Sequence, residues 1–227
     1  MKRSTINTAI DWAKDLLKQE SWFLPEYAYW DMDTWESNAD TARAIDKIML
    51  GWDVTDYGIN DYDRVGGVLY TIRNGTLDKK HGVPYAEKVI LLKPGQCLPC
   101  HFHFSKTEDI INRRGGKLWL RLNNAKEDDS IDTSTDVEVY IDGVLHRIPA
   151  GELLFLENGQ SITITPRLYH SFGAMENDSI IVGEVSSIND DNVDNNFNPP
   201  LPRFVQIEED EPARYVLCNE YGKLFNL

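Results

Sequence analysis

Residues 95–115, GQCLPCHFHFSKTEDIINRRG, place two imidazoles two positions apart, His101 and His103, and a carboxylate, Glu108, five positions further on. In an extended strand, side chains two apart lie on the same side, so both rings can face one point. A short turn after the strand can return the Glu108 oxygen to that point. His170, which follows Pro166 and precedes Ser171 and Phe172 at the start of another expected strand, supplies a further imidazole. Three imidazoles and one carboxylate suit a divalent transition metal with positions left open for oxygens of a substrate. Mn²⁺ is the expected occupant; Zn²⁺ and Fe²⁺ are compatible with the same donors, which do not rank the three.

Other chemistry-bearing residues carry less. Cys97 and Cys100 form a C-x-x-C, but no second pair exists, and the strand parity that turns the histidines inward turns Cys100 outward, against a redox or thiolate–zinc role. Three cysteines in all make no disulfide framework. His81 and His146 have no partners at ligand spacing. The run Asp190-x-Asn192-x-Asp194 lacks the glycine and closing glutamate of a calcium loop.

The chain has 227 residues, 41% of them apolar, which is enough for one all-β domain. Its expected layout is a helical N-terminal extension over 1–60, a barrel core over 66–188, and a loop with closing strands over 189–227. Ile6, Ile10, Ala13 and Leu17 at helical spacing predict a helix over 5–19. Ala42, Ile45, Ile48 and Met49 predict a second from Asp33 or Thr34 to Leu50, ended by Gly51. The aromatic stretch between them, 22–35, is expected to cover one end of the barrel. From Gly66 onward, short runs of Val, Ile, Leu and Tyr alternate with turn residues. Asp142-Gly143 and Asn158-Gly159 tolerate the positive φ of tight hairpins. The polar, proline-bearing stretch 189–202 is expected as a loop or lid before last strands around 203–207 and 215–218. Many short strands of this kind make a sandwich or a jelly-roll barrel.

A formal charge of −14 excludes partners recognised through positive potential, so nucleic acid and anionic membrane surfaces are poor candidates. No apolar run approaches the roughly 20 residues of a membrane span, and no signal-peptide pattern follows Lys2 and Arg3. A cytoplasmic location is expected, and a homodimer on the general frequency of symmetric pairs.

Residues 95–115 resemble the first motif of the cupins: Gly95, five residues, His101-x-His103, four residues, Glu108, six residues, Gly115. The second cupin motif is looser, with Gly159, Pro166, His170 and Asn177 in order but one residue short between Pro166 and His170 and without the glycine usual there. The resemblance implies a mainly β cupin jelly-roll barrel with N-terminal helices. Within the cupins the chain is similar to the D-lyxose ketol-isomerases, through residues 85–88 (YAEK), 101–116 (HFHFSKTEDIINRRGG) and 183–195 (GEVSSINDDNVDN). That likeness implies interconversion of D-lyxose with D-xylulose, and of D-mannose with D-fructose, through a cis-enediol.

Such a reaction needs a base that moves a proton between two adjacent carbons and a cation near the oxygens. Glu184, an acid in a valine-rich strand, is the expected base, unless it pairs with a core-lining arginine instead. Lys88, inside an apolar run, and Lys106, between His103 and Glu108, compete for the role of donor to the carbonyl oxygen; either could also lie at the surface on its aliphatic stem. Asp191, Asp194 and Arg203 are candidates for binding distal hydroxyls or assisting ring opening, unless the two aspartates lie on a solvated loop. Two alternatives use the same ligands: a metal-dependent cupin dioxygenase, which needs an apolar or aromatic pocket, and a non-catalytic sugar-binding cupin, which would tolerate loss of Glu184.

Overall fold

The computed structural model describes residues 1–225. Two antiparallel sheets face each other. The larger runs β1 (Gly51–Thr55), β2 (Gly67–Gly75), β3 (Gly82–Leu92), β12 (Ile180–Ser186), β5 (Glu108–Gly115), β10 (Ser161–Ile164), β7 (Val137–Ile141) and β8 (Val144–Ile148). The smaller runs β13 (Asn195–Phe197), β4 (Cys97–His103), β11 (Leu168–Ala174), β6 (Leu118–Asn124) and β9 (Leu153–Leu156). From β3 onward sequential strands alternate between the sheets, except at the β7–β8 hairpin, which is the jelly-roll arrangement. Leu69, Ile90, Ile110, Leu120, Phe172 and Val182 fill the space between them.

The two faces of the larger sheet explain its near-continuous apolar strands. Leu69 and Ile90 point into the barrel, while their neighbours Val68, Tyr70, Val89 and Leu91 point out and are equally buried. That outer face must be covered. Helix α1 (Arg3–Gln19) covers it with Ile6, Ala9, Ile10, Ala13 and Leu17. Arg3, at its start, is buried and donates to Glu220 (2.5 Å) and Glu209 (2.8 Å), tying the beginning of the chain to its end. Among the described residues, no helix is long and apolar enough to cross a membrane.

Several expected boundaries move. The single helix predicted to reach Leu50 is two: α2 (Met32–Ser37), capped where Asp31 accepts from the Thr34 amide at 2.8 Å, and α3 (Ala39–Asp46). Asn38 leaves helical geometry between them at φ −125°, ψ 38°. Gly51, expected to end a helix, opens β1 at φ +116°, so strand structure begins well before Gly66. The aromatic stretch packs on the outer face of the larger sheet and against α4 (Tyr221–Phe225) rather than over a barrel end. Trp35 lies 5.3 Å from Tyr221 and Tyr27 6.4 Å from Tyr70. The apolar outer face is what draws it there.

The Asp142-Gly143 hairpin forms, with φ of 50° and 79°, between β7 and β8. Asn158-Gly159 does not make a hairpin. It carries the chain from β9 in one sheet to β10 in the other, with the Gly159 amide donating to Asn112 O at 2.7 Å. The strands expected at 203–207 and 215–218 are replaced by isolated bridges, Glu208 to Lys2 and Leu217 to Trp52. Pro202 and Pro212 supply no N–H for a ladder, so the tail lies along the barrel without adding regular strands.

Gly173 shows how tightly β11 is held. A Cβ there would lie 2.6 Å from Gln96 O, 2.7 Å from Cys97 Cβ and 2.8 Å from the Trp119 ring. Gly173→Ala is expected to cost about 1–3 kcal/mol of stability by overpacking. Urea denaturation reads this as a lower midpoint with an unchanged slope; an unchanged midpoint would show that β4 and β11 separate freely.

Candidate active site

His101 and His103 project from one side of β4, while Phe102 between them packs on the opposite side, 4.9 Å from Tyr169. His170 stands directly across the ladder from His101, their ring centroids 4.1 Å apart. The three imidazoles offer nitrogens that all lie within 4.8 Å of one another, in a buried position. Glu108, at the start of β5 in the facing sheet, brings Oε1 to 3.0 Å from His170 Nε2 and 3.4 Å from His103 Nε2.

The hydrogen bonds behind the rings orient them. Nδ1 of His101 lies 2.8 Å from the Pro99 carbonyl, and Nδ1 of His170 lies 3.0 Å from that of Leu168. A ring that donates from Nδ1 to a backbone carbonyl presents the Nε2 lone pair inward, the tautomer a metal requires. His170 Nε2 and both ring nitrogens of His103 are buried without a hydrogen-bond partner. Burial holds the proton affinities of His101 and His103 below the ordinary histidine value, reinforced at His101 by His170 and at His103 by the Lys106 charge. Inward-facing imidazoles beside a carboxylate fit a divalent cation.

From Glu108 a row of buried charges of alternating sign leads away from the imidazoles. The Lys106 ammonium sits 2.7 Å from Glu108 Oε2 and 2.8 Å from Glu184 Oε1, with Asn189 Oδ1 accepting its third proton at 3.1 Å. Lys88, opposite Glu184 in the β3–β12 register, lies 3.9 Å from Glu184 Oε1 and 3.2 Å from Asp191 Oδ2. Arg203 Nη2 reaches Asp191 Oδ2 at 2.9 Å and Asp53 Oδ2 at 2.6 Å. Burial by itself would lower the Lys106 affinity for its proton, but Glu108 and Glu184 raise it above the ordinary lysine value. Burial would likewise raise the Glu108 carboxyl, and the Lys106 charge instead holds it well below its usual range; Arg203 and Lys88 do the same for Asp191.

Glu184, Lys88, Lys106, Asp191 and Arg203 therefore line one cavity with His101, His103 and Glu108. Both lysines are buried, so neither is a surface lysine, and the partners of Glu184 are lysines rather than an arginine. Asp194 is placed differently. Its carboxylate accepts from Ser105 N and Oγ, both at 2.8 Å, and from Lys106 N at 3.1 Å, so it clamps the β4–β5 turn behind the cavity wall. Asp53, Tyr57 and Asn189 escaped the sequence reading. An aspartate flanked by Trp52 and Val54 was a usable sign for the first, because an acid in an apolar strand requires a buried partner.

Known structures share this architecture. The L-ribose isomerase of Acinetobacter sp. DL28 in complex with L-ribose aligns with a TM-score of 0.52 over 87% of this chain and 92% of that one, at 13% identity. The Cellulomonas parahominis L-ribose isomerase with L-psicose aligns over the same shares with a TM-score of 0.51, at 15% identity. At such identities the likeness speaks for the fold: a cupin barrel of the kind found in sugar isomerases. Sequence relatives go further. The D-lyxose isomerase family model matches residues 1–221. A D-lyxose/D-mannose isomerase of Escherichia coli O157:H7 is 43% identical over 228 residues, covering 97% of this chain and 98% of that protein. One of Serratia proteamaculans is 41% identical over 224 residues, with the same coverage. The chain belongs to the D-lyxose isomerase family and is a sugar isomerase, not a dioxygenase or a bare binding module.

Lys106 is the tightest joint of the charge row. Lys106→Met leaves Glu108 and Glu184 buried without their shared cation and is expected to lower the unfolding free energy of metal-free protein by about 3–5 kcal/mol. Urea denaturation measures it; an unchanged midpoint would mean that water already compensates both carboxylates.

Proposed function

We propose that this chain is a metal-dependent aldose–ketose isomerase that interconverts D-lyxose with D-xylulose, and D-mannose with D-fructose, through a cis-enediol. The observation that carries the reading is the Glu184 carboxylate, buried on β12 and held by Lys106 at 2.8 Å beside the imidazole cluster. The sugars are those named for the relatives of high identity.

His101, His103, Glu108 and His170 would hold the divalent cation, which when bound supplies positive charge to the substrate oxygens at the two reacting carbons. Glu184 takes the C2 proton of the open-chain aldose and returns it to C1 on the same face, as a single base must for a cis-enediol. The carbonyl oxygen at C1 gains a proton as C2 loses one, and the hydroxyl at C2 gives one up as C1 is protonated. A buried ammonium can serve both transfers, and Lys106, in contact with Glu184, is better placed for this than Lys88 at 3.9 Å. Lys106 also holds the Glu108 carboxyl in its ionised form and brings it close to Glu184. Asp191 and Arg203 are assigned to hydroxyls farther along the chain, and Asp194 to positioning the turn that carries Lys106.

Two measurements test this. Metal-stripped protein incubated with D-lyxose under nitrogen is expected to form D-xylulose only when Mn²⁺ or another divalent cation is added; ketose formation that ignores metal, or its absence with both aldoses, would refute the reading. Glu184→Gln, equal in size but unable to accept the proton, is expected to lower kcat by about 10²–10⁴ with bound metal unchanged. Activity near wild type would remove Glu184 from the role of base.

A further inference from the structure

The charge row does not end at the residues assigned to chemistry. Its last member, Asp53, comes from β1, a strand that contributes nothing else to the imidazole cluster, and its partner Arg203 comes from the irregular tail. Asp53 is almost fully buried, as are Thr55 and Asp56 nearby. The β1 strand alternates, with Trp52 and Val54 turned toward α1 and Asp53 toward the barrel. A core position would be filled more cheaply by an apolar residue, since burying a carboxylate is costly without a partner. Arg203 is that partner, and it has a second one: Nη2 contacts both Asp53 and Asp191.

The other terminal nitrogen of Arg203 differs. Nη1 is buried and has no hydrogen-bond partner, although Arg203 forms part of the cavity wall together with Tyr57, Asp191 and Phe197. A guanidinium held through Nη2 by a hydrogen bond to Asp191 and a close ion pair with Asp53, with Nη1 unpaired on a residue that lines the cavity, is able to donate to a neutral oxygen ligand. Along the row of ion pairs this is the end away from the imidazoles. Between Glu108 and Arg203 stand Lys106, Glu184, Lys88 and Asp191, each in contact with the next.

We propose that Asp53 is a positioning residue for substrate recognition: it fixes Arg203 so that Nη1 donates to a hydroxyl at the end of the sugar away from the metal. The inference rests on the aldose–ketose reading above and adds to it a determinant outside the predicted set. Because the contact is made to a part of the substrate that does not react, it contributes to binding in the ground state and the transition state alike. Its loss appears in KM and leaves kcat nearly intact.

The test is steady-state kinetics on metal-loaded wild type, Asp53→Asn, Arg203→Lys, Arg203→Gln and the Asp53→Asn/Arg203→Gln double variant, with D-lyxose and D-mannose. Bound metal and melting temperature are measured on each protein. Asp53→Asn is expected to raise KM at least about tenfold, the size of a lost hydrogen bond to a charged group, with kcat within about twofold. Arg203→Lys keeps a cation for Asp53 and Asp191 but has no second terminal nitrogen. It is expected to raise KM similarly without a fall in melting temperature, and so tests the same contact should Asp53→Asn fail to fold. In the Arg203→Gln background, Asp53→Asn is expected to add nothing, because it acts through Arg203. Wild-type KM in Arg203→Lys, equal losses from Asp53→Asn in both backgrounds, or a loss confined to kcat would overturn the proposal. Wild-type protein inactive on both aldoses would instead overturn the reading on which it rests.

Discussion

The site depends on a row of seven buried charges in which every neighbour has the opposite sign: Glu108, Lys106, Glu184, Lys88, Asp191, Arg203 and Asp53. None of these groups is tolerable alone in a barrel interior, where an unpaired ion costs several kcal/mol. In the row each interior member is flanked on both sides, so the cost of one charge is offset by two contacts. The row therefore constrains the fold. Its members come from β1, β3, the β4–β5 turn, β5, β12 and the segment after it, and a one-residue slip in any of these strands would turn its charge to the other face and strand one partner at the ends of the row or two inside it.

The imidazole cluster obeys a different constraint, supplied by backbone rather than by charge. His101 and His170 face each other across one ladder, and each is oriented by the carbonyl two residues before it. Orientation of this kind costs no side chain of its own. Glu108 joins the two systems, with Oε1 toward the imidazoles and Oε2 toward Lys106. Whatever changes the charge at one oxygen is felt at the other, so a cation held by the imidazoles would be coupled to the lysine through a single carboxylate.

Much of the site was legible because strands have a period of two. His101-x-His103, with Glu108 after a short turn, specifies three converging side chains with no knowledge of the rest of the chain. Glu184 stood out as an acid among valines, and Lys88 as a base in an apolar run. Asp53 did not stand out, because the apolar spacing of Ala42, Ile45 and Ile48 extended a helix over the residues that precede β1. That spacing continues past Asp46 although the helix stops there, and periodicity alone carries no stop signal. Asp194 shows the opposite failure: an acid in the right loop, drawn to the amides of a turn rather than to the cavity. The tail misled in a third way. Its apolar residues do pack, but the segments, set off by Pro202 and Pro212, meet the rest of the chain at single bridges rather than along a ladder.

Arg203, which holds Asp53 and Asp191, and Glu209 and Glu220, which hold Arg3, all lie beyond the last strand. His101, His103, Glu108, His170 and Glu184 all stand on paired strands, whereas Arg203 stands on a segment that adds no regular strand. One wall of the cavity is therefore sheet and the other a strap, held by side-chain ion pairs instead of a ladder. The strap can change residue by residue without shifting the register that fixes the imidazoles, so the two walls of the cavity are free to diversify independently.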